Sequence, residues 1–190
     1  FPSVTQISNS VIFPILCVSL LAGLIGAYMS EILLLLFRWK KTFKFRYQHL
    51  MYVFGCAIIT ACVAFFIDPS ILGSGKQIMI TTLFSSDKYV HWYTSVFRVI
   101  GPVLSFSTGA SAGIFAPSLS AGASVGSFIA GIFNAPESNG NLLILCGMVA
   151  LLTGVTRTPF TSAILVLEMT DRNNVIFYLM IAGLIANLVA

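Results

Sequence analysis

The stretch Gly109–Gly126, GASAGIFAPSLSAGASVG, most narrows the folds open to this chain. It sets glycines, a turn and a helix start carrying Pro117 inside an otherwise apolar sequence. A helix that begins part-way through an apolar layer leaves its first backbone N–H groups without intrahelical acceptors. Those donors need an acceptor, and the positive end of the helix dipole makes an anion a good one.

Composition identifies the layer as a lipid bilayer. Apolar residues are 57% of the 190, charged residues only 8%, and the mean hydropathy is +0.96. A soluble domain carries roughly a quarter charged residues, and a surface this poor in charge would not stay dissolved. The chain opens FPSVTQISNS, with no Met and no basic leader. It therefore reads as a mature or excised piece of something longer, without a cleavable signal peptide.

The apolar segments and their breaks predict an all-α, polytopic transmembrane protein forming one membrane-embedded region over 1–190. Val11–Phe37, carrying Pro14 and Glu31, is long enough to cross at a tilt. Five of the ten basic residues follow at once (Arg38, Lys40, Lys41, Lys44, Arg46), which between two apolar spans reads as a cytoplasmic loop rather than a nucleic-acid surface. Met51–Ile67 returns, ending at Asp68-Pro69, and Ser70–Lys88 reads as loops with a short helix. Helices are then expected over Val90–Ser107 and Ile114–Phe133, a loop over Asn134–Asn141, and helices over Leu142–Val155, Pro159–Met169 and Asn174–Ala190.

Several of these helices fall short of the ~20 residues that cross a bilayer. Short helices paired across Gly/Pro breaks point to a transport site at the membrane midplane. The alternation of a β-barrel is absent. Cys17, Cys56, Cys62 and Cys146 sit in apolar segments without CxxC spacing and read as small buried hydrophobes, not disulfide or metal ligands.

Two motifs carry little chemistry. Gly73-Ser-Gly-Lys76 has half the glycines of a phosphate-binding loop, but Ser70 stands where Gly is needed and Gln77 where Ser or Thr is needed. Its glycines read as a tight turn. GxSxG occurs at Gly109–Gly113 and Gly122–Gly126, yet a nucleophilic Ser111 or Ser124 needs a positioned base, and both histidines, His49 and His91, precede the serines. Close helix packing by small residues is the plainer reading. No enzymatic activity is expected, and an intramembrane hydrolase would have to show probe labelling of those serines.

Two others carry more. In GIFAP, Gly113–Pro117, glycine permits a sharp turn and Pro117 is tolerated in a first helical turn. The N–H groups of Ile114, Phe115 and Ala116 can then converge on one point. Chloride suits them, because a partial charge of about +0.5 attracts a monovalent anion without trapping it. The run from Gly154 to Asp171 places Arg157 before Pro159 at one helix boundary and Glu168 with Asp171 at the next. Glu168 could carry protons, although beside Asp171 and Arg172 a cap or interfacial ion pair fits better. Glu31 and Arg98 read as snorkelling or paired, with Arg98 also able to draw anions inward.

GIFAP followed about forty residues on by R-x-P-F-T…LVLEMTD resembles the chloride channel and chloride–proton antiporter (CLC) family, and the resemblance runs over essentially the whole chain. It implies the second of two inverted halves of a CLC-type transport domain, without its final short helix, in a homodimer joined through residues 159–190. It further implies chloride as the transported ligand, held by the amides of Ile114, Phe115 and Ala116. Gly113 and Pro117 would support that site, the Phe115 ring would border the pore, and no cofactor would be needed. GIFAP favours chloride over fluoride. The family's GSGIP-type serine, GREGP-type gating glutamate, internal proton glutamate and pore tyrosine are not in this sequence, nor is a CBS domain. The pore then needs the first half as partner, and channel and exchanger remain open. The expected location is a plasma (inner) membrane. A non-transporting accessory subunit is the alternative.

Overall fold

The computed structural model describes residues 11–66, 73–84, 89–109, 113–170 and 173–190. Within them the chain is helical, with no strand: α1 (Ile12–Lys40), α2 (Arg46–Phe66), α3 (Lys76–Phe84), α4 (Trp92–Ser107), α5 (Phe115–Ile132), α6 (Glu137–Thr156), α7 (Pro159–Thr170) and α8 (Ile176–Val189). A single 3₁₀ turn, Asn173–Val175, leads into α8.

Among the described residues, four helices are long and apolar enough to cross a membrane: α1, α2, α5 and residues Asn139–Thr156 of α6. At 1.5 Å per residue α1 extends about 43 Å, longer than the hydrocarbon layer, whereas the 12 residues of α7 span only about 18 Å. The short, broken helices expected from the sequence are therefore present.

Helix α6 forms the core. It packs against α5, α1, α8 and α7, and every residue from Asn141 to Gly154 is buried. It can be buried on all sides because it is apolar on all sides. Close approach of α5 and α6 depends on glycine: a Cβ on Gly122 would lie 2.5 Å from the Gly147 carbonyl oxygen, and one on Gly147 would lie 2.5 Å from that of Gly122. Gly26 of α1 meets α6 the same way, at the Leu151 carbonyl oxygen. The second GxSxG is thus a packing seam. Ser124 is fully buried, with its hydroxyl donating to the Ala121 carbonyl at 2.8 Å. Ser111 lies outside the described residues.

Two sequence expectations need correction. The loop Asn134–Asn141 is largely helix, because α6 begins at Glu137 rather than Leu142. Asn134 takes a left-handed φ of 45° and the Ala135 N–H reaches back to the Ala130 carbonyl, so the reversal after α5 is complete within a few residues. The polar Asn139 and Asn141 that suggested a loop are instead buried in α6's first turns. The cysteines also divide: Cys56 and Cys146 are buried, Cys17 is half-buried and Cys62 exposed. The cause is that α2 buries only Cys56 and Ala64.

Candidate anion site at the α4–α5 break

Helix α4 ends at Ser107 and α5 starts at Phe115. Gly109, just past the end of α4, holds a left-handed φ of +92°. Gly113, expected to make the turn, has no left-handed φ, and a Cβ there would meet nothing within 4 Å. Its contribution is small size beside open space.

The start of α5 has no side-chain cap. Its first helical bond runs from the Ser118 N–H to the Ile114 carbonyl at 3.1 Å, and the Ser118 hydroxyl donates to the same carbonyl at 2.8 Å. Pro117 has no N–H. The backbone donors that the helix leaves unused are therefore those of Ile114, Phe115 and Ala116. Ordinary N-terminal residues would have supplied a Ser, Thr, Asp or Asn side chain here.

A cavity of about 640 Å³ opens at this point. Gly113, Phe115, Ala116 and Pro117 form one wall, and α4 supplies another through residues that include Arg98, Gly101, Pro102 and Ser105. Ile59, Thr60 and Val63 of α2 face them, and the Gly73-Ser74 turn closes an end. Four of the five expected site residues thus share the cavity. Ile114 contributes differently: its side chain packs on Met29, Leu33 and Val103, anchoring the helix start to α1 and α4. The Phe115 ring, about half exposed, stands at the cavity edge.

Arg98 does not snorkel. Only 2% exposed, it donates from Nη1 to the Gly73 carbonyl at 3.1 Å. Gly73 and Gly75 both hold left-handed φ values, 76° and 79°, so the GSGK segment is the tight turn expected of it. Glu31 and Glu168 are both exposed; Asp171 and Arg172 lie outside the described residues. Arg157 marks the end of α6 as anticipated, with φ 57°, and its Nη2 donates to the Ala190 carbonyl at 2.8 Å. Among the described residues, no cluster of three or more His, Cys, Asp and Glu side chains could hold a metal.

Sequence reasoning missed the α2 wall and the residues that fasten the end of α4. Lys40 Nζ donates to the Ser107 carbonyl at 3.1 Å and to the Thr108 carbonyl. Tyr52 donates its hydroxyl to Ser107 Oγ at 2.7 Å. Lys40 is one of five clustered basic residues, and no sequence signal separates it from the other four.

Apolar helices long enough to cross a membrane, packed with shorter ones around α6, define a polytopic α-helical membrane protein. The sequence model of the voltage gated chloride channel family matches residues 1–190, and the chain belongs to that family. Two solved structures share the fold. A slow cyanobacterial Cl⁻/H⁺ antiporter superposes with a TM-score of 0.81 at 20% identity, covering 97% of this chain and 47% of its own. A CLC-type fluoride/proton antiporter gives 0.82 at 19% identity, covering 100% of this chain and 46% of its own. The chain therefore spans about half the length of these relatives.

Proposed function

We propose that this chain supplies one half of a chloride pathway, with the anion held by the main-chain amides of Ile114, Phe115 and Ala116. The observation that carries the reading is a helix start without a side-chain cap, with three donors that the helix itself does not use, beside a cavity of about 640 Å³. In a low-dielectric layer the partial positive charge at that start is felt strongly by a monovalent anion. No fixed cation need touch it, so the ion can leave again. Gly113 leaves room for it, Pro117 removes a fourth donor, and Arg98 keeps a positive charge in the wall. The family resemblance of GIFAP favours chloride over fluoride.

The other half of the pathway comes from the first, inverted half of the same transport domain, consistent with coverage of 46–47% of the related structures. Homodimerisation through residues 159–190 is supported by the exposed apolar side chains Phe160, Ile164, Phe177 and Leu188 of α7 and α8. Both passive conduction and proton-coupled exchange are compatible with this half.

Replacing the Phe115–Ala116 amide by an ester in the full-length protein removes one donor without changing a side chain. Chloride affinity is expected to fall about ten- to a hundredfold, since a hydrogen bond to a charged group is worth about 1.5–3 kcal/mol. Liposome flux and calorimetric chloride binding measure it. Unchanged affinity would sink the amide site, and unchanged flux with Phe115→Ala as well would favour a non-transporting accessory role.

A further inference from the structure

Lys40 leaves the basic run and turns onto α4. Its ammonium donates to the Ser107 and Thr108 carbonyls, and it lies 5.9 Å from the centre of the Tyr52 ring. Tyr52 donates to Ser107 Oγ at 2.7 Å, and Ser107 Oγ in turn donates to the Leu104 carbonyl at 2.7 Å. Ser107 is fully buried. Gly109 completes the fit, because a Cβ there would sit 3.1 Å from Lys40 Nζ. Four groups from α1, α2 and the end of α4 thus form one polar clamp.

The clamp sits where it matters electrostatically. The last carbonyls of a helix carry about half a negative charge. Those of α4 directly follow Ser105 and Phe106, which line the cavity beside the start of α5. Left alone, this end of α4 would repel the anion that the start of α5 attracts. An ammonium on the same carbonyls offsets that negative end.

We infer that Lys40 is a positioning and charge-setting residue for anion passage. Clamped by Ser107 and Tyr52, it offsets the negative end of α4 and fixes the turn from which the chain runs to the amide donors. It acts on a monovalent anion at a distance, through α4, and does not ligate it. This inference rests on the chloride pathway proposed above.

The test is chloride flux by the full-length protein in liposomes, measured against chloride concentration at low and high ionic strength. Lys40→Gln is expected to raise the half-saturating chloride concentration about three- to tenfold at low ionic strength, and by less when salt screens the missing charge. Lys40→Arg should stay near wild type. A purely structural lysine would change yield and maximal rate but leave half-saturation in place, and that result overturns the inference. If Lys40→Gln does not fold, Lys40→Cys is assayed before and after attachment of an aminoethyl group through a disulfide, with wild type treated in parallel. Restored half-saturation supports the inference; an unmoved value overturns it. The two readings fail separately. A wild-type protein that carries no chloride refutes the pathway, whereas wild-type flux sensitive to the ester at residue 116 but not to Lys40 refutes only this step.

Discussion

Gly75 shows how one atom governs the neighbourhood of the cavity. Its φ is +79°, and a Cβ there would fall on the Ser120 side chain and 2.7 Å from Arg98 Nη1. Its carbonyl also accepts the first helical bond of α3, from the Met79 N–H at 3.0 Å. Gly75→Ala therefore combines a strained backbone with an overfilled contact, together about 2–4 kcal/mol of destabilisation. The melting temperature of the detergent-solubilised protein should drop by several degrees. A melting point equal to wild type would mean that the turn does not bear on α5. Sequence alone marks Gly73 and Gly75 as turn residues, but that the turn presses on Arg98 is a matter of which helices meet.

The α5–α6 seam belongs to the scale of elements. Gly122 and Gly147 exclude any Cβ from the same line of contact, each against the other's carbonyl. Either glycine changed to alanine forces the helices apart, at about 1–3 kcal/mol. Because both changes open one contact, Gly122→Ala with Gly147→Ala should cost less than the sum of the two. Thermal unfolding of the three variants checks this, and strict additivity would mean that the glycines act independently. The seam also bears on the cavity, since the helix whose N-terminus lines it packs its body most extensively on α6. The spacing of small residues in the sequence did foretell close packing. It could not name α6 as the partner, because glycine records that something comes near but not what.

For the whole molecule, the distribution of apolar surface is the telling quantity. Phe54, Phe65, Phe66 and Leu188 are between 66% and 85% exposed, and α2 touches the rest of the described residues chiefly through α4. Lipid, the proposed inverted half and, at Leu188, the proposed second copy would cover these faces. Expressed alone in detergent, residues 1–190 are expected to keep a helical circular dichroism spectrum yet carry no chloride in liposomes. Co-expression with the remaining half of the transport domain should restore flux; flux from the isolated chain would refute the half-pathway.

The sequence by itself determined the membrane, the succession of short apolar helices and the break at Gly109–Pro117, because these follow from local hydropathy and from what Gly and Pro do to a backbone. It also located the start of α5 to within one residue. Only the tertiary structure decided that Ile114 faces α1 while its neighbours face a cavity, that Arg98 is buried on the Gly73 turn, and that Lys40 is fastened to the end of α4. Those facts depend on which distant segments are brought together, and a one-dimensional pattern of apolar and polar residues holds no record of a contact between residue 40 and residue 107.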